Sequence, residues 1–164
     1  MDTDGLKRFL GRPVTDNEME SYLFAQGIDV SKELILKSGD YTAHIERPKK
    51  GFSLVFTDEA MFFNKENQPI GKGPLYLEGM FLYAEGKGGY SQYKGELPGG
   101  IKFRDHRSDV LTKLGEPNWQ RKRRVDDSIV AEKWGLSGLI VHVTYSRDSH
   151  CPVVVYLGVP SIRS

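Results

Sequence analysis

The chain has 164 residues and a mass of 18.5 kDa, enough for one domain that buries about 70% of the surface its unfolded form exposes. Hydrophobic residues make up 38%, and 23 basic side chains stand against 22 acidic ones for a net charge of +1, which excludes a disordered chain and removes the electrostatic footprint of a dedicated nucleic-acid binder. No stretch approaches the length of a membrane span, the start Met1-Asp2-Thr3-Asp4-Gly5 lacks the features of a secretory signal, and Cys151 is the only cysteine. The expectation is a cytoplasmic protein with no membrane attachment, no internal disulfide and no thiolate metal cluster.

In chain order, Leu6 to Leu10 reads as a short helix stopped by Gly11-Arg12-Pro13. A second helix begins at the capping box Thr15-Asp16-Asn17-Glu18, carries Met19, Tyr22 and Leu23 on one stripe, and ends at Gly27. From Tyr41 the period changes to two, with Phe52, Leu54 and Phe56 on one face of a strand and Ser53, Val55 and Thr57 on the other. The next strand has Leu75, Leu77, Phe81 and Tyr83 on one side and Tyr76, Glu78, Met80 and Leu82 on the opposite side, so both sides need cover, as in a central strand.

Gly71-Lys72-Gly73-Pro74 and Gly86-Lys87-Gly88-Gly89 fit turns rather than phosphate loops, Tyr90 to Gly95 fits a short strand, and Leu97-Pro98-Gly99-Gly100 fits a connection. Asp105 can then cap a helix with Val110, Leu111 and Leu114 on one stripe, stopped at Gly115-Glu116-Pro117 and followed by a basic loop. Ile129 to Trp134, Leu139 to Tyr145 and Val153 to Val159 complete an antiparallel set, with turns at Leu136-Ser137-Gly138 and Arg147-Asp148-Ser149. The fold expected is α+β: a single domain over residues 1–164, a mainly antiparallel sheet and two or three short helices. The phrase Leu-Gly-x-Pro at Leu10–Pro13 and again at Leu114–Pro117 raises the further option of two related helix-plus-sheet halves, 1–96 and 97–164.

The chemistry-bearing residues do not cluster in the sequence. His44, His106, His142 and His150 lack metal-ligand spacing, and His150 beside Cys151 is too close along the chain for a thiol–imidazole pair on a strand. His142 alternates with Val141 and Val143, which places it on an outer face with Thr144. No catalytic residue, metal or cofactor is assigned. The run Arg121-Lys122-Arg123-Arg124, with Asp126 and Asp127 as counter-charges, fits a solvated loop or a contact with an acidic protein surface better than a nucleic-acid site. Tyr90, Tyr93 and Trp119 lie in polar, turn-like sequence, where amphipathic aromatics serve as interface anchors; with Arg121, Lys122, Arg123 and Arg124 they form the candidate partner-binding set.

The stretch Leu97 to Val110, then Lys113-Leu114-Gly115-Glu116-Pro117, the strand around Trp134 and the strand Val141 to Tyr145 resemble small bacterial proteins of the toxin-immunity kind. The opening Leu10 to Asp16 and the phrase Gly89 to Pro98 are similar to the same group. The helix-plus-sheet pattern is also similar to modules of beta-lactamase inhibitor proteins and outer-membrane assembly lipoproteins, which are exported. The resemblance implies a non-catalytic protein that neutralises one cognate bacterial toxin by occlusion. The alternatives are a small enzyme whose site is assembled from distant residues, and a structural or adaptor module of a secretion system.

Overall fold

A computed structural model describes residues 1–148 and 150–160. Seven strands form one sheet in the order β1-β2-β3-β7-β6-β5-β4, and every neighbouring pair is antiparallel. They are β1 (Thr42–Arg47), β2 (Phe52–Asp58), β3 (Leu75–Tyr83), β4 (Trp119–Lys122), β5 (Ile129–Leu136), β6 (Leu139–Tyr145) and β7 (Pro152–Gly158). Five helices accompany them among the described residues: α1 (Thr3–Lys7), α2 (Asn17–Ala25), α3 (Val30–Glu33), α4 (Glu59–Phe62) and α5 (Arg107–Leu114). The α+β class follows directly. Residues 1–96 supply the meander β1-β2-β3, residues 97–160 supply β4-β5-β6-β7, and the last strands of the two, β3 and β7, pair to make the sheet continuous.

The helix starts lie one or more residues from their expected places. Asp16, not Thr15, caps α2, its carboxylate accepting the Met19 amide at 2.9 Å. Asp2 caps α1, which therefore begins before Leu6. At α5 the cap is His106, whose N–H donates to Asp109 Oδ2 at 3.0 Å, while Asp105 instead accepts from Lys102 N and Lys113 Nζ. Gly27 closes α2 as expected: at φ +81 it lets Ile28 N donate to Leu23 O and its own N–H to Phe24 O, which satisfies two carbonyls that the helix end leaves over.

One face of the sheet carries the core. Leu54, Phe56, Leu77, Met80, Leu82, Val141, Val143, Val155 and Trp134 pack there beneath Leu6, Phe9, Met19, Leu23, Ile28, Val30 and Val110 from the helical layer. The expected faces of β3 hold for only half of the strand. Pairing passes from Phe56↔Leu77 to Val55↔Gly79, so Glu78 is one residue too many, and this bulge reverses the alternation. Leu77 therefore shares the core face with Met80 and Leu82, and Phe81 and Tyr83 turn to the other side.

Two further expectations fail. The segment read as a basic loop contains β4, an edge strand whose four residues are all exposed. Tyr90 to Gly95 is not a strand; it folds back over one end of the sheet, with Tyr93 N donating to Tyr83 O and Ser91 N to Pro48 O. Of the expected turn Arg147-Asp148-Ser149, Ser149 lies outside the described residues.

Candidate functional site

Among the described residues no helix crosses the middle of the sheet's second face. Cross-strand pairing brings together His44 and Glu46 from β1, Val55 from β2, Phe81 and Tyr83 from β3, Tyr156 and Val154 from β7, His142 and Thr144 from β6, Lys133 from β5, and Trp119 and Arg121 from β4. One end is closed by Tyr90, whose ring stacks on Tyr83 at 3.9 Å, and the other by Phe62, which stacks on Tyr76 at 5.0 Å. Between these ends lies an open depression of about 290 Å³ lined by His44, Val55, Glu78, Phe81, His142 and Tyr156.

Two glycines shape this face. Tyr156 lies across Gly79 and Gly158, and a Cβ at either position would collide with its ring. The ring also meets Phe81 at 4.8 Å between centroids. Both glycines are retained for space, since a flat aromatic needs a neighbouring strand position without a side chain.

The expected anchors separate. Trp119 is 40% exposed on the open face, and its ring meets His142 edge-on at 5.7 Å while Lys133 Nζ lies 4.5 Å from its centroid. Tyr90 and Tyr93 are buried, at 7% and 4% exposure, and are not surface anchors. Gly51, at φ +77, lets the backbone of Ser91–Tyr93 approach closely, and this draws both rings under the returning loop. Tyr90 donates to Glu46 Oε1 at 3.1 Å, and burial followed by that contact raises its pKa. Tyr93 donates to the Met1 carbonyl at 2.9 Å, and burial pushes its phenol up to about 12.

The run Arg121-Lys122-Arg123-Arg124 is not one patch. Arg121 pairs with Ala131 and shares the open face with Trp119; a register shift follows, and Lys122 pairs with Ile129, which packs toward the core side. Arg123 enters the hairpin, its N–H donating to Ser128 O and its Nε buried without a partner, and Arg124 sits exposed at the turn beside Val125.

His142 does share the outward face with Thr144, but its Nε2 is buried and has no hydrogen-bond partner. Burial first, then Lys133 and Arg121, lowers its pKa. Its ring resonances should therefore titrate below the ordinary histidine value of about 6.5 in an NMR pH series. Because the unfolded chain takes up that proton first, this group makes stability fall as the pH drops through about 6.5. Titration at or above the ordinary value would refute this account of its surroundings.

Two other features lie away from the open face. Glu132, 0% exposed on the core face, accepts from Arg107 Nε and Nη2 at 2.9 Å each, from Gln120 Nε2 at 2.8 Å and from Tyr145 OH at 2.9 Å. Burial raises its pKa, but these hydrogen bonds outweigh burial and leave the carboxyl below its usual range. Every strong acceptor direction is occupied, so the cluster ties α5 to the sheet and has no lone pair aimed at a substrate. A groove of about 960 Å³ runs between α1, the 84–104 loop and the start of β7, with Lys7, Glu85, Lys94, Lys102 and Cys151 among its lining residues. Cys151 Sγ lies 3.9 Å from the Arg104 carbonyl. Among the described residues no group of three or more His, Cys, Asp or Glu is placed to hold a metal ion, and no helix is long and apolar enough to cross a membrane.

No protein-family model matches the chain, and searches of curated proteins and of solved structures give no match.

Proposed function

We propose that this protein is a non-catalytic binder that docks another protein on its open sheet face, and that the partner is a bacterial toxin held inactive by occlusion. The observation that carries the docking role is the open face itself: an exposed Trp119 and half-buried Phe81 and Tyr156 are set on one seven-stranded sheet, between two aromatic ends, with no helix or strand of the described residues across them. Amphipathic aromatics on a pre-formed surface lose little freedom on binding and dominate interface energetics. The toxin as partner rests on the resemblance of Leu97–Val110 and Gly89–Pro98 to immunity proteins. The full occupancy of the Glu132 cluster favours a binder over an enzyme.

Co-expression with the protein encoded by the neighbouring gene tests the reading. The chain should rescue growth from that product and co-purify with it, and Trp119→Ala should weaken the complex by at least about tenfold, as loss of an interface aromatic does. A toxic neighbour that is neither neutralised nor bound would end the immunity reading, and turnover by the isolated chain would put an enzyme in its place.

A further inference from the structure

The open face is electrically uneven. On β4, Trp119 stands directly opposite Lys133 on β5, which stands opposite His142 on β6; Arg121 follows Trp119 on the same side of its strand, diagonal to Lys133. Lys133 Nζ and the edge of His142 both meet the Trp119 ring, so indole, ammonium and imidazole form one contact group, with the guanidinium beside it.

Among the described residues, Arg8, Arg12, Arg47 and Arg107 each lie within ion-pair distance of a carboxylate, whereas Arg121 and Lys133 do not. Two like charges on adjacent strands repel, and both act on His142 across the sheet. The buried, unpartnered Nε2 of His142 adds a polar atom in the same place that the fold leaves unsatisfied.

We infer that the corner formed by Trp119, Arg121, Lys133 and His142 is the seat for an aspartate or glutamate side chain of the partner protein. The inference rests on the docking role proposed above and specifies its chemistry. A carboxylate placed between Arg121 and Lys133 cancels their repulsion, gains charge-assisted hydrogen bonds, and is shielded from water on one side by the indole. A nucleic-acid backbone fits less well, because the basic run that would have to track it is split: Arg121 is on this face, Lys122 on the opposite one and Arg124 at the hairpin turn.

The split supplies its own control. In an NMR titration at neutral pH with a short glutamate-glycine peptide, the Trp119 indole N–H and the His142 ring should shift together. Arg121→Glu combined with Lys133→Glu should weaken the peptide's binding at least about tenfold, and the doubly exchanged charge should not alter the amide spectrum of the core. Lys122→Glu, on the same strand but facing away, should leave the affinity unchanged. The glutamine-glycine peptide should not bind. Shifts spread over basic residues elsewhere, equal loss with Lys122→Glu, or tighter binding of a short random DNA duplex at this corner would each overturn the inference. The two readings fail separately: a partner that co-purifies equally with wild type and with the Arg121→Glu, Lys133→Glu variant removes the acidic seat and keeps the docking role. A corner that binds the glutamate peptide while no neighbour-encoded protein is bound removes the toxin.

Discussion

Replacing Arg107 with alanine is expected to cost roughly 3 kcal/mol at neutral pH, because it leaves the buried Glu132 carboxylate without its bidentate partner. The guanidinium is about one-third exposed while the carboxylate is wholly buried, so loss of the cation hurts more than its own surface position suggests. The pH dependence should reverse. In the wild type the carboxyl is held below its usual range, so its contribution is present above about 4.5 and is lost as the pH falls through the folded value. In the variant burial dominates, the folded pKa rises above the unfolded one, and stability is gained on acidification. Denaturation midpoints for the two proteins should therefore converge as the pH is lowered from neutral towards about 4.5. Glu132→Gln, which keeps the shape and removes the charge, should flatten the slope. Parallel curves for wild type and Arg107→Ala would show that the pair is not what holds α5 to the sheet.

Gly158→Val should cost about 1–3 kcal/mol and abolish partner binding without unfolding the chain, since it forces overpacking where one aromatic ring fills the space above two glycines. The new side chain would meet the Tyr156 ring and, at 2.8 Å from its Cβ, the Glu78 carbonyl. The ring can yield only by giving up its contact with Phe81, and the carbonyl belongs to the bulged strand and is held by Val159 N at 2.9 Å. The expected result is a folded protein whose Tyr156 has left Phe81 and whose open face no longer has a flat centre. A double-mutant cycle with Tyr156→Ala isolates the steric part: the valine should cost less when the ring is already gone, with a coupling of about 0.5–3 kcal/mol. Additive costs would mean that ring and glycines are not in competition, and unchanged binding would move the docking surface elsewhere.

The strands that pack on the core were readable because burial imposes a period. Leu139 to Tyr145 matches β6 residue for residue, and Phe52, Leu54 and Phe56 share the core face as expected, although every residue of β2 is buried. The errors fall where a third influence overrides that period. At β3 the extra residue, Glu78, reverses the faces, and a bulge is set by a partner strand that sequence periodicity does not identify. At β4 the basic run hides an edge strand: Arg121 and Lys122 lie in the strand and Arg123 and Arg124 beyond it, and a single large apolar side chain, Trp119, marks no alternation. Tyr90 and Tyr93 looked like surface anchors from their polar neighbours, yet a close backbone approach over Gly51 buries both.

The candidate site was legible only in part. Trp119 stands out by its polar, turn-like surroundings and Arg121 as one of four consecutive cations, and both lie on the open face. Tyr156, Lys133 and His142 join them through strand order, which is a property of the whole chain and not of any segment. The clue available in advance was Gly79 and Gly158, glycines inside strands with no turn to make; such positions signal that something flat lies close by.

The β3–β7 seam is the strand pairing of longest sequence separation in the sheet. Within each meander, successive strands are joined by local connections, the longest being residues 59–74 between β2 and β3, so their loops close at a smaller entropic cost than the seam does. The seam instead joins residues 71 to 79 positions apart, Gly79 with Gly158 the most distant, and is expected to form after the local pairings. The central pairing is then expected to be the last to be made, and each half exposes an unpaired strand until it is. A chain that stalls at this stage presents two sticky edges, β3 and β7, whereas the completed fold presents only β1 and the charged β4.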